Sequence, residues 1–71
     1  MKIDNFADKI PENLSRFRKQ QRYTQKQLAQ LAGLNPNYYA KVERGDSIPS
    51  LKTLYRISIA LQVSVSDIVG Y

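Results

Sequence analysis

The sequence predicts an all-α fold, a compact five-helix bundle that forms a single domain over residues 1–71. Three observations lead to this prediction. Signals for helix starts and stops recur along the chain, apolar residues repeat at helical spacing, and no segment keeps the alternation that is typical of strands. A chain of 71 residues has room for one small core, so pairing with a second copy would help to stabilise it.

The first helix is predicted over residues 8–21, because Ile10, Leu14 and Phe17 recur at helical spacing. Pro11 has no backbone N–H to donate, so it is expected in the first turn of this helix. The pattern leaves open whether residues 1–7 form an extra turn or a loose arm.

The second helix starts after Thr24, which forms a capping box with Gln27. It ends at Gly33, because glycine readily adopts the left-handed conformation that closes many helices. The apolar stripe of this helix consists of Leu28, Leu31 and Ala32.

The third helix has Asn35 as its N-cap and Pro36 as its first residue, and it stops at Gly45. Successive helical residues are rotated by about 100°, which separates a buried apolar face from a polar face. The buried face holds Tyr39 and Val42, and the opposite face holds Asn37, Lys41 and Arg44, with Tyr38 at its edge. Taken alone, a charged helix face of this kind is usually an ordinary solvated surface.

Two further helices follow, one capped by Ser50 and a short one capped by Ser64 that ends at Gly70. Asp67 lies in the first turn of the short helix, where its negative charge complements the helix dipole. The fourth helix carries a wide apolar stripe made of Leu51, Leu54, Tyr55, Ile57, Ser58 and Leu61.

Composition limits the kinds of function that remain. The net charge of +5 suggests a polyanionic partner such as nucleic acid, although solubility alone also explains a basic chain. The absence of Cys and His excludes disulfides, zinc fingers and thiol or imidazole catalysis, so we expect no enzyme, metal or cofactor. No apolar run is long enough for a membrane span or signal peptide, so a cytoplasmic protein without a membrane partner is expected.

Residues 23–64, "YTQKQLAQLAGLNPNYYAKVERGDSIPSLKTLYRISIALQVS", resemble the DNA-binding domain of the lambda-repressor/Cro family, the XRE-type helix-turn-helix. The helix-turn-helix itself would cover residues 24–45, and the matching "NLSRFRK" of the first helix extends the resemblance over nearly the whole chain. The matching positions are Thr24-Gln25, Leu28-Ala29, Ala32-Gly33-Leu34, Asn35, Tyr39, Glu43-Arg44-Gly45, Pro49-Ser50-Leu51, Leu54 and Ala60-Leu61.

The resemblance implies a recognition helix over residues 35–44 that enters the major groove of double-stranded DNA. Base contacts are implied for Asn37, Tyr38 and Lys41, with apolar contact only from Pro36. Asn suits adenine and Lys suits guanine, while Tyr38 would press on a thymine methyl or bond a phosphate. The phosphate contacts implied by the resemblance are Gln25, Lys26, Asn35, Arg44 and Ser47.

Arg18 and Glu43 match a structural ion pair between the first and third helices of the family, although Arg18 could instead reach DNA. The chain departs from the family at Arg22 and Gln62, where glycine is usual, and at Pro36, which replaces a hydrogen-bonding residue. At Arg22, either the backbone is left-handed, at a cost of about 1 kcal/mol, or the first helix ends differently.

Assembly and partners are further implications of the resemblance. A dimerisation helix is expected over residues 64–70, with an interface made of Val65, Ile68, Val69 and Tyr71, although Ile68 and Val65 could instead close the core. The implied function is a homodimeric transcription regulator on a palindromic operator, most similar to restriction–modification controller proteins among the short bacterial and phage members. A polymerase subunit or a toxin could be a partner protein. The alternative is an antitoxin-like interaction module that binds an acidic protein.

Overall fold

The structure, a computed structural model, describes the backbone of residues 6–70 and the side chains of residues 9–70. This part of the chain contains five α-helices and no strand, which confirms the predicted all-α fold. The helices are α1 (Phe6–Gln20), α2 (Gln25–Ala32), α3 (Pro36–Arg44), α4 (Leu51–Leu61) and α5 (Val65–Val69). None of them is long and apolar enough to cross a membrane.

Local side-chain chemistry sets the starts of α2 and α5 at the predicted caps. The hydroxyl of Thr24 accepts a hydrogen bond from the backbone N–H of Gln27 at 3.0 Å, and the Gln27 side chain accepts one from the Thr24 N–H at 2.8 Å. The same reciprocal box joins Ser64 and Asp67 at the start of α5. Each of these bonds satisfies a backbone donor that the first helical turn leaves unpaired.

Two helices end on a left-handed residue that is not glycine. Arg22, after α1, has φ of 62°, and Gln62, after α4, has φ of 59°. This confirms the left-handed alternative at Arg22. A side chain in this conformation costs about 1–2 kcal/mol, which glycine would avoid.

The helices enclose one core. α1 packs against α3 and α5, α2 packs against α3 and α4, and α4 also contacts α5. The apolar side chains that are buried in this core are Ile10, Leu14, Leu28, Ala29, Ala32, Tyr39, Val42, Leu54, Ile57, Leu61 and Ile68. Since every helix contributes at least one of them, each helix is fixed against its neighbours by apolar burial.

The expected position of Pro11 is wrong. α1 begins at Phe6, so Pro11 lies in its second turn and not in its first. The proline removes a single helical hydrogen bond near the start of the helix. Its ring is half-buried, and its Cγ lies 3.5 Å from the position that a Cβ of Gly45 would take. The ring of Pro11 therefore lies beside the end of α3.

Three residues assigned to apolar stripes are exposed instead. Leu31 is 58% exposed, Leu51 73% and Tyr55 60%. In α2 the buried face is centred on Leu28, Ala29 and Ala32, and Leu31 points about 110° away from that centre at 100° per residue. In α4 the predicted stripe is wider than the core that covers it, so its outer edge remains in solvent.

Candidate nucleic-acid interface

The candidate interface is built on α3, which follows α2 after a three-residue turn, Gly33 to Asn35. Gly33 closes α2 in the left-handed conformation, with φ of 72°. Asn35 then caps α3, since its Oδ1 accepts hydrogen bonds from the N–H groups of Asn37 at 2.8 Å and Tyr38 at 3.2 Å. Pro36 occupies the first helical position, where a backbone N–H would have no partner within the helix, so its lack of an N–H costs no helical hydrogen bond. A tight turn between two short helices is the geometry of a helix-turn-helix.

The two faces of α3 separate as the sequence predicts. Tyr39 and Val42 are completely buried, whereas Asn37 and Lys41 are exposed. Tyr38 is half-buried at the edge of the core, and its ring packs against core side chains. The exposed face therefore offers an amide, an ammonium group and an aromatic edge on a helix that is anchored from behind.

A buried ion pair ties α1 to α3, as the family resemblance implies. Arg18 Nη2 lies 2.9 Å from Glu43 Oε1, and Arg18 Nε donates to both carboxylate oxygens. Arg18 Nη1 donates to the carbonyl of Tyr23 at 2.8 Å. The side chains of Arg18 and Glu43 are only 14% and 5% exposed. With its donors engaged inside the protein, Arg18 has a structural role here, and the hydrogen bond to Glu43 raises its pKa.

The hydroxyl of Tyr39 is buried beside this ion pair. It makes no hydrogen bond of ordinary geometry. Burial, followed by the negative charge of Glu43, raises the pKa of Tyr39 well above its usual value. The phenol is therefore neutral at physiological pH, and its ring fills the core behind the exposed face of α3.

A link between Gln25 and Glu43 was not predicted from the sequence. Gln25 Nε2 donates to Glu43 Oε2 at 3.2 Å, so the first residue of α2 lies beside the last turn of α3. The second N–H of the same amide remains able to donate outward. Glu43 thus holds both Arg18 and the side chain for which the resemblance implies a phosphate contact. Both residues were identified separately, but only the folded structure shows that they touch.

A second unpredicted contact involves Asp46, in the loop after α3. Its Oδ2 accepts from Arg44 Nε at 2.9 Å, and both side chains are more than half exposed. Arg44 was assigned to a phosphate contact, so in the free protein its guanidinium already has an anionic partner. An exposed ion pair contributes only about 0–1 kcal/mol, so another anion such as a phosphate can replace Asp46 as the partner of Arg44.

The other implied phosphate contacts differ in exposure. Lys26 is exposed in the first turn of α2, and Ser47 is half-buried in the loop after α3. Asn35 uses Oδ1 for capping, so its amide nitrogen is the group left to donate to a phosphate.

The implied dimer residues of α5 mainly serve the core of the protomer. Ile68 is completely buried, which confirms the core alternative and removes its side chain from any surface interface. Its carbonyl also accepts a hydrogen bond from Asn13 of α1 at 2.8 Å. Val65 and Val69 are half-buried against the same core. Tyr71 lies outside the described residues.

The fold and the polar face of α3 define a class of protein, a helix-turn-helix domain of the kind that binds DNA. Comparison with known proteins agrees, since a helix-turn-helix family profile matches residues 14–68. The chain belongs to this family, in its XRE-type branch.

Three relatives illustrate the similarity. The chain is 41% identical over 61 residues to the immunity repressor protein of Bacillus phage phi105, covering 86% of this chain and 42% of the relative. It is 36% identical over 62 residues to the cryptic phage CTXphi transcriptional repressor RstR of Vibrio cholerae, covering 87% and 55%. It is 32% identical over 60 residues to the uncharacterized HTH-type transcriptional regulator y4dJ of Sinorhizobium fredii, covering 84% and 78%. The chain thus spans about half the length of the two phage repressors.

Proposed function

We propose that this protein is a sequence-specific DNA-binding transcription regulator that acts as a homodimer on a palindromic operator. The observation that carries the proposal is the division of α3 into two faces. Tyr39 and Val42 are completely buried, while Asn37 and Lys41 point away from the core on the same helix. Such a helix can insert its polar side into the major groove without disturbing the fold.

Base reading is assigned to the exposed face of α3. The amide of Asn37 can bond N6 and N7 of adenine, and the ammonium group of Lys41 can donate to O6 and N7 of guanine. Tyr38 presents its ring edge or hydroxyl beside them, and Pro36 offers apolar contact only. Each good base contact is worth about 1–3 kcal/mol of discrimination.

Phosphate contacts fix the position of α3 in the groove but carry no sequence information. Gln25 is suited to this role because Glu43 orients its amide. Lys26 adds a positive charge in the same helical turn. Arg44 would exchange its exposed bond to Asp46 for a phosphate oxygen. Neutralised phosphates release counterions, so DNA affinity should fall steeply as salt rises.

Repression is the favoured direction of regulation. Two relatives are named as repressors, the phage phi105 immunity repressor and RstR. A homodimer would place two recognition helices about 34 Å apart, one turn of the double helix, on a palindromic site. The similarity to restriction–modification controller proteins stays a prediction.

The experiment that tests this function is the selection of bound sequences from a random pool of duplex DNA at fixed salt. The expected result is a palindromic motif with half-site centres about ten base pairs apart. Salt-sensitive binding that enriches no motif would contradict the proposal. It would direct attention to the alternative, an interaction module for an acidic partner protein.

A further inference from the structure

An apolar row on α4 lies exposed on the surface of the described structure. Leu51, Tyr55 and Ile59, here called the α4 row, are 73%, 60% and 58% exposed. Ile48, one turn earlier in the preceding loop, is 70% exposed. Among the described residues the only other large apolar side chain with such exposure is Leu31 of α2. Large exposed apolar groups that cluster on one surface indicate an interaction site.

The α4 row is one continuous ridge, because its members are spaced four residues apart. The buried face of the same helix is centred about 110° away at 100° per residue, and it consists of Leu54, Ile57, Ser58 and Leu61. The row therefore lies outside the buried core, although its side chains are largely apolar.

The α5 helix, in contrast, has little apolar surface to offer. Ile68 is completely buried, and Val65 and Val69 are half-buried against the core. Between α4 and α5, most of the apolar area available to a second copy therefore belongs to α4.

We propose that the α4 row is the two-fold interface between two copies of this chain, with the two α4 helices antiparallel. The row is symmetric about its centre, since Leu51 and Ile59 each lie four residues from Tyr55. Two-fold symmetry then places Tyr55 against the partner's Tyr55 on the axis, and Leu51 against the partner's Ile59. A two-fold contact requires this self-complementarity, with one patch serving both copies.

The charges next to the row give the interface a characteristic salt response. Lys52 and Arg56 lie on one flank of the row and are exposed. In an antiparallel two-fold pair the same flank of both helices lies together, so these cations approach the cations of the partner. Salt screens this repulsion, so dimerisation should strengthen with salt while DNA binding weakens. Because salt is expected to act in opposite directions on dimerisation and on DNA binding, a salt titration distinguishes the two equilibria.

This inference rests on the proposed function only in that a palindromic operator requires a two-fold dimer. The primary test is sedimentation equilibrium of the whole chain without DNA. The wild-type protein is expected to show a monomer–dimer equilibrium. The Tyr55→Glu and Ile59→Glu variants should each raise the dimer dissociation constant by at least about tenfold, because each substitution acts on both copies. Leu31→Glu is the matched control, since Leu31 and Ile59 are both 58% exposed, and it should leave the constant unchanged.

A cross-linking experiment tests the geometry. The chain contains no cysteine, so one introduced thiol reports one position. The Tyr55→Cys variant should be joined into a covalent dimer by a short bismaleimide reagent, because two-fold symmetry brings position 55 of both copies together. The Leu31→Cys and Val69→Cys variants should remain largely monomeric. Thermal unfolding curves would establish that each variant is folded.

Two results would overturn the interface: a wild-type protein that stays monomeric at all concentrations, or a dimer that survives Tyr55→Glu and is lost in Val69→Glu. The first would leave the row free for a different partner. Failure of the interface and failure of the proposed function remain distinguishable. A palindromic motif bound equally well by the wild-type and Tyr55→Glu proteins would refute only the interface, whereas an α4 dimer that enriches no motif would refute only the function.

Discussion

Removal of the Glu43 carboxylate tests the most buried electrostatic contact of the described structure. In the Glu43→Gln variant, the guanidinium of Arg18 keeps its bond to the Tyr23 carbonyl but loses its counter-charge. Breaking a buried ion pair on one side costs about 3–5 kcal/mol. Arg18 is 14% exposed and retains one strong bond, so the lower end, about 3 kcal/mol, is expected. For a domain of this size, that corresponds to a fall in Tm of about 12–24 °C.

The assay is urea unfolding followed by circular dichroism at neutral pH. Arg44→Gln is the control, because it breaks an ion pair whose partners are 57% and 61% exposed and should cost less than about 1 kcal/mol. The double variant Arg18→Met/Glu43→Leu should recover most of the loss, since an apolar pair leaves no buried charge. If Glu43→Gln destabilised the protein no more than the control, the reasoning from burial would be refuted.

Three further substitutions have defined outcomes. Asp46→Asn removes a negative charge and releases Arg44, so DNA should bind about two- to fivefold more tightly in an anisotropy titration; weaker binding would argue against a phosphate role for Arg44. Arg22→Gly removes the side chain from a left-handed residue with φ of 62°. After the greater backbone entropy that glycine has in the unfolded chain is subtracted, the free energy of unfolding should rise by up to about 1 kcal/mol. A less stable variant would show that Arg22 is not strained. Hydrogen bonds from the backbone and side chain of Ser64 lower the pKa of Asp67 in the folded protein. The ionised carboxylate therefore stabilises the fold fully above the unfolded-state pKa of about 4, and this stabilisation is lost as the pH falls through the lower pKa of the folded state. Asp67→Asn should therefore be less stable than wild type at neutral pH but not in strong acid, and equal differences at both pH values in thermal melts would contradict this.

The helix ends could be predicted from the sequence because they depend on near neighbours. Thr24 with Gln27, and Asn35 with Pro36, are local signals that act within one helical turn. The two faces of α3 were predictable for a similar reason, since Tyr39 and Val42 lie three residues apart on one side of the helix, and its polar residues lie on the opposite side. The family resemblance implied the pairing of Arg18 with Glu43, which are far apart in sequence.

Tertiary packing decides what the sequence could not show. Apolar spacing cannot reveal how wide a stripe the core will cover, so Leu51 and Tyr55 were expected in a core that leaves them in solvent. The bond from Gln25 to Glu43 joins residues 18 positions apart and depends on how α2 meets α3. Pro11 was misplaced because no clear capping signal marks the residue at which α1 begins.

The central claim is that the exposed face of α3 reads base sequence. The most direct measurement compares wild type, Lys41→Ala and the control Lys26→Ala on the selected operator and on every single-base variant of it. Both lysines are exposed, but only Lys41 is assigned to a base. We expect Lys41→Ala to cost about 1–3 kcal/mol and to erase preference at one position of each half-site, and Lys26→Ala to weaken all sequences alike and reduce the salt dependence. If Lys41→Ala instead weakened binding to every sequence equally, Lys41 would contact only the DNA backbone, and the claim that α3 reads base sequence would be wrong.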